Sequence, residues 1–241
     1  MQIPPRFGLI EESEMRWHSL LDKLRELNDA DDTGSYKFTF FGTHGHASMG
    51  RAAVHNVAES KYGTDAWDDY GAMLYGDGEI IWGPDPKLTT LGEAQGATAH
   101  SVWGQEGDAS IPIPLQRLCG LWCSSAFCWL YSCPAKFTPF KDFREEHGAH
   151  TCDQRSTRTQ IANAFPSIDI EPGLTEVDEA WTAKRETFEH VVGRARDGPG
   201  SDFWWRRVVV SVTAHNGSIN AFSSVSGRET YALPTGGEFP L

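Results

Sequence analysis

Two short apolar runs, each breaking at a histidine, restrict the fold of this chain more than any other feature. One, YKFTFFG at 36–42, leads into Thr43-His44-Gly45. The other, RRVVVSVTAHNG at 206–217, breaks at His215-Asn216-Gly217. β-Branched and aromatic residues in runs of this length favour buried strands, and a Gly or Asn just beyond them ends the pleat. The first run reads as a central strand ending at Gly42, and the second is the clearest buried strand in the sequence. Helical patterns fall between them, so the chain is expected to be α/β. It should form a three-layer sandwich, with a mostly parallel central sheet and helices on both faces. In open sheets of this kind ligands bind beyond the carboxyl ends of the strands. If the two strands are neighbours, His44 and His215 face each other across that crevice.

The rest of the chain is consistent with one domain over 1–241. Trp17, Leu20, Leu21, Leu24 and Leu27 fall on one helical face with Ser13 as N-cap, and residues 1–35 form an N-terminal helical extension. Residues 60–87, rich in Gly, Asp, Pro and Trp, read as a surface elaboration. LTTLGEAQGATAHSVWGQ (88–105) is a helix opened by a Thr cap and weakened by its glycines. DFREEHGAHTCDQRS (142–156) is loop-like. TEVDEAWTAKRETFEHVVGRAR (175–196) reads as a helix whose acidic start, 175–179, suits the macrodipole. ETYALPTGG (229–237) is the expected last strand.

Composition narrows the function classes. With 39% hydrophobic and 22% charged residues, the 241-residue chain is a globular one. Its formal charge of -12 argues against a general nucleic-acid grip, which needs a basic stripe. An anionic ligand would need a local positive pocket set against that field. LCGLWCSSAFCWLYSCPAKF (118–137) is interrupted by Ser, Gly and Cys and falls short of the ~20 apolar residues of a spanning helix, so no membrane partner is expected. Five cysteines without a secretory leader point to reduced thiols and a cytoplasmic or nuclear location. HGH (44–46), HGAHTC (147–152) and Cys119, Cys123, Cys128 and Cys133 contain metal-ligand types. The four cysteines sit among Leu, Trp, Phe and Tyr, where free Cys behaves as a small apolar residue, so no metal is expected.

The order of these blocks resembles the histidine phosphatase superfamily, and within it the fungal phosphoglycerate-mutase-like phosphatases. The matching stretches are FGLIEES, HNVAESKYGT, GDGEIIWGPDP, LTTLGEAQ, EEHGAHTCDQRS, AFPSIDIEPGLTEVDEAWT and ALPTGG, in the family's order. The resemblance implies a phosphoglycerate-mutase-like fold and a covalent mechanism that needs no cofactor. His44 takes the nucleophile's place, a role that suits a neutral imidazole. His215 would donate to the transferring oxygens. Glu145, in REEH, matches the proton donor and would need a raised pKa; Glu146 takes the role if the register shifts by one. Asn56 would hydrogen-bond a phosphate oxygen, with Thr43, Gly45, Asn216 and Gly217 around it. The implied ligand is a small phosphorylated molecule.

The chain departs from the family pattern in three places. Thr43 stands where the family has an arginine, so a neutral hydroxyl replaces a charged fork. Asn56 lies six residues further from His44 than the motif allows, across a lengthened segment (46–53) carrying Arg51. No arginine fills the family's second position; within 117–133, Arg117 is upstream of it. Arg51 and Arg117 otherwise read as solvated side chains. Each site residue also has a plainer reading: His44 and His215 as strand-end histidines, Glu145 as an exposed acid, Asn56 as a helix cap. Trp67, Trp82 and Trp181 either wall a substrate cleft or belong to the core. A catalytically degenerate protein that binds a ligand or partner, or serves a biosynthetic pathway, is therefore the alternative to a phosphatase.

Overall fold

The computed structural model describes residues 13, 15–30, 39–44, 61–86, 90, 94, 97–98, 101, 116–120, 137–166, 170–198, 209–231 and 238–240. Five strands, β1 (Thr39–His44), β2 (Gln116–Gly120), β3 (Phe137–Phe140), β4 (Val209–Ala214) and β5 (Glu238–Pro240), form one sheet in the order β3-β2-β4-β1-β5. β3, β2, β4 and β1 run parallel, and β5 pairs antiparallel along the outside of β1. The sheet is thus mostly parallel, as the alternation of strands and helices implies. Both edge strands carry a proline, Pro139 and Pro240, at positions where a missing N–H donor is tolerated.

Five helices are described: α1 (Arg16–Asp29), α2 (Thr64–Asp69), α3 (Arg158–Ala164), α4 (Phe188–Asp197) and α5 (Asn216–Val225). α5 follows β4 directly and packs against α4. Thr90, Ala94, Ala97, Thr98 and Ser101 are also helical, within the helix expected over 88–105. No helix among the described residues is long and apolar enough to cross a membrane.

Several boundaries differ from the sequence reading. α1 starts at Arg16, and Ser13 lies one turn earlier, where its hydroxyl accepts from the Met15 N–H at 3.2 Å. Trp17, Leu21 and Leu24 are buried, while Leu27 is 40% exposed. β1 runs two residues past Gly42, so Thr43 and His44 belong to the strand. The helix expected over 175–196 begins only at Phe188, capped by Thr187. Its acidic start is irregular chain instead. Buried Arg155 gathers the carbonyls of Thr175, Glu176 and Val177, and Arg144 draws in Asp178, so the local backbone and charge are committed to tertiary partners. The last strand lies at 238–240, beyond the expected ETYALPTGG; Glu229–Tyr231 are irregular.

Residues 61–86 close a small apolar cluster of their own. Trp67 and Trp82 meet edge to face at 5.3 Å, over buried Ala72 and against Leu74 and Ile80. This segment is fixed to the turn Thr151–Asp153: the Thr151 hydroxyl donates to the Leu74 carbonyl, and the Tyr75 hydroxyl reaches Gln154 Oε1 at 2.9 Å.

Candidate functional site

The register of β1 against β4 sets the site. Thr43 pairs with Thr213 and His44 with Ala214, so His44 is the last residue of its strand and His215 the first residue after the neighbouring one. Two histidines distant in sequence therefore leave the sheet from adjacent strands at the same, carboxyl, end. The condition posed by the sequence, that the two strands be neighbours, is met. Gly45, Asn56 and Arg51 lie outside the described residues. Arg117 sits in β2, opposite Ser211 of β4 and Phe137 of β3.

His215 follows β4 directly and serves as the N-cap residue of α5, its backbone extended (φ −74°, ψ 163°) and its carbonyl accepting from the Ile219 N–H at 3.0 Å. The residue is buried. Asn216 and Gly217 form the first turn. The N–H groups of a first turn have no partner within the helix, and together they favour an anion. Here the Glu145 carboxyl takes that place, its Oε2 accepting from the Gly217 N–H at 2.9 Å. The other oxygen, Oε1, accepts from the Glu146 N–H at 3.0 Å. A Cβ at position 217 would lie 1.9 Å from Oε1, so the approach requires glycine. The structure thus brings Glu145, His215, Asn216 and Gly217 together at the end of the sheet where β1 delivers Thr43 and His44.

Glu145 reaches this position because the chain leaving β3 is anchored on three sides. Phe143 is fully buried and packs edge to face on Phe222 of α5, at 4.7 Å. The Ser218 hydroxyl of α5 donates to the Arg144 carbonyl at 2.7 Å. The Arg144 side chain turns the other way and grips Asp178 with two nitrogens, at 2.8 and 2.9 Å. Burial alone would push the Asp178 carboxyl up; the Arg144 fork outweighs it and holds the group below the usual range. On the third side Arg194 of α4 donates to the carbonyls of Asp142, Arg144 and Glu145. None of Arg144, Asp178, Glu186 and Arg194 was singled out from sequence. Arg144 meets Asp178 across 34 positions and Arg194 meets carbonyls 49 to 52 positions away, contacts that no local spacing reports.

The neighbouring groups have different surroundings. Glu146 points to Arg185, 3.6 Å away, and burial raises its carboxyl against the pull of that guanidinium. Of the two acids, then, Glu145 is the one that meets the His215 turn. Burial, reinforced by Arg144, lowers the His147 pKa to about 4, so its imidazole is neutral at pH 7. Gly148 (φ +90°) turns the chain where a Cβ would lie 2.0 Å from the Lys184 carbonyl oxygen. Beyond it, ligand atoms of His150, Cys152 and Asp153 lie within 4.8 Å of one another, the first two within HGAHTC and the third just after it. Arg185 already pairs with Asp153, and the Cys152 thiol donates to the same carboxylate at 3.6 Å.

The tryptophans take separate places. Trp67 and Trp82 are core residues of the 61–86 cluster, and half-buried Trp181 donates its indole N–H to the His150 carbonyl at 2.9 Å. A cavity of about 170 Å³ is lined by Tyr62, Ala66, Tyr70, Gly71, Leu74, Asp77 and Trp82, none of them a residue of the histidine crevice.

No protein-family model matches the chain. It is similar to a protein of Arthroderma benhamiae named probable phosphoglycerate mutase, with 34% identity over 260 residues, covering 98% of this chain and 75% of the relative. It is also similar to phosphomutase-like protein 3 of Candida albicans, 29% identical over 98% of this chain and 71% of that one. Among solved structures, phosphoglycerate mutase from Thermus thermophilus aligns with 17% identity over 85% of this chain and 92% of its own, at a TM-score of 0.39.

Proposed function

The chain belongs to the histidine phosphatase superfamily, among its fungal phosphoglycerate-mutase-like members, and from that premise we propose that it hydrolyses small phosphomonoesters through a phosphohistidine. The observation that supports this reading best is the pairing of β1 with β4, which sends His44 and His215 out of the sheet side by side, with Glu145 bonded to the turn that His215 opens. In the proposed reaction an imidazole nitrogen of His44 attacks phosphorus in line, and the ester P–O bond breaks. The departing oxygen takes a proton from the Glu145 carboxyl. Water then attacks the phosphohistidine, gives its proton back to Glu145 and releases inorganic phosphate. His215 donates to the phosphoryl oxygens throughout, and the first turn of α5 adds N–H dipoles of the same sign. The ligand is a small phosphorylated molecule, and Asn56, Gly45, Thr43, Asn216 and Gly217 surround its phosphoryl group.

Thr43 favours a second reading. With a hydroxyl where the family has a guanidinium, the site lacks a charge that phosphoryl transfer uses heavily. Loss of one preorganised donor costs about 10²–10³ in turnover. A member with two such losses would bind a phosphorylated ligand or a partner without transferring phosphate. Turnover of p-nitrophenyl phosphate by the purified chain, abolished in His44→Ala and inhibited by vanadate, is the expected result. No wild-type turnover together with no vanadate binding would leave the degenerate reading in its place.

A further inference from the structure

Arg194 stands outside every motif, yet all three nitrogens of its guanidinium are engaged beside the site. Nε and Nη2 grip the buried Glu186 carboxylate side-on, at 2.7 and 2.8 Å. Nη1 donates to the Asp142 carbonyl at 2.7 Å. Nη2 also reaches the carbonyls of Arg144 at 3.1 Å and Glu145 at 3.3 Å. One planar fork therefore ties helix α4 to three carbonyls of the strap that carries Glu145. Glu186 holds the fork in turn. Its carboxylate is buried, which alone would raise it, but Arg194 and then His190 more than offset that and keep it ionised. A lysine cannot reproduce this geometry, because it offers one point charge where three nitrogens of a planar fork are in use.

We propose that Arg194 is a positioning residue for the acid: by fixing the carbonyls on either side of the Glu145 Cα, it aims that carboxyl at the first turn of α5. The proposal rests on the reading of Glu145 as the proton donor, although the mechanical claim stands without it. Arg194 touches no reacting atom in this scheme and acts through Glu145 alone. Misplacing a group by about 1 Å can cost about 10²-fold in rate. The loss should fall on the step that needs the proton, which is departure of the ester oxygen. An ester with a poor leaving group depends on that proton far more than one with a good leaving group.

The test uses the full chain with Arg194→Ala and Arg194→Lys. Hydrogen–deuterium exchange is read over 141–146 and over 215–219, with α3 (Arg158–Ala164) as the internal control. The expected result is faster exchange in both segments of the Ala variant, partial recovery in Lys and no change in α3. Unchanged exchange at 141–146 and 215–219 would overturn the proposal, whether or not the protein is an enzyme. Kinetics are then compared on phenyl phosphate and p-nitrophenyl phosphate. Positioning predicts a fall in kcat of about 10²-fold on the first and a much smaller one on the second, with KM little changed. Equal losses on both esters would mean that Arg194 only supports the fold. If the Ala variant does not fold, the Lys variant is read in the same way, since it keeps the charge and loses the fork. A wild-type chain that hydrolyses neither ester would sink the phosphatase reading, while the exchange result would still decide the role of Arg194.

Discussion

Gly217 has two neighbours' chemistry to accommodate. Its N–H is bonded to Glu145, and the absence of a side chain is what lets the carboxylate approach. Gly217→Ala should therefore push Glu145 off the turn although alanine favours helices elsewhere. The expected outcome in urea unfolding is a destabilisation of about 1 kcal/mol, the worth of the lost hydrogen bond, and Glu145→Ala in the same background should add little to it. His147 makes a second prediction. An unfolded histidine takes up its proton near pH 6.5, whereas the folded one resists it until about pH 4. Between those values the unfolded state binds more protons, so stability falls as pH drops through the window and levels off below it. His147→Gln should remove this component, on the order of 2 kcal/mol, seen as a smaller difference between urea midpoints at pH 7 and pH 4.5. Glu145 was legible from its place in REEH. The turn it bonds was legible only as a strand break, because the sequence after Gly217 carries no charge or cap signature for α5.

At the scale of elements, the helix expected over 175–196 is the instructive difference. Its propensity and acidic start are real, yet two buried arginines outcompete them by offering fixed donors to Asp178 and to three successive carbonyls. Side-chain pairs separated by about thirty residues leave no periodic trace in a sequence. The same holds for β2 and β3, which lie at the two ends of a Cys- and Trp-rich run (118–137) whose Ser, Gly and Cys interruptions show no strand period. Asp178→Asn should cost about 3–5 kcal/mol, since it removes the carboxylate from a guanidinium only 3% exposed. α3 offers a milder case. Thr157 and Gln160 form a reciprocal capping box, with the Gln160 N–H on the Thr157 hydroxyl at 3.1 Å and the Thr157 N–H on Gln160 Oε1 at 2.9 Å. Thr157→Ala should lose about 1 kcal/mol in chemical denaturation and leave turnover unchanged.

For the whole molecule, the dominant field is that of a chain with formal charge -12. On the proposed reading a phosphate dianion would approach against it, so moderate salt should raise kcat/KM for a phosphomonoester by screening the repulsion. A gain of about two- to threefold between 10 and 150 mM sodium chloride is expected; a steady decline would indicate a local cationic funnel instead. The α/β class and the histidine that follows each of the two strand runs were legible because β-branched runs and their breaks are local signals. The sheet order was not, since it is decided by which strands meet across the core. That order also dictates when the histidine end of the sheet can exist at all. Both neighbours of β1, namely β4 and β5, begin beyond residue 208. A nascent chain emerging from the ribosome must carry its first histidine strand unmatched until β4 has been made, which makes the early product a natural client for chaperones.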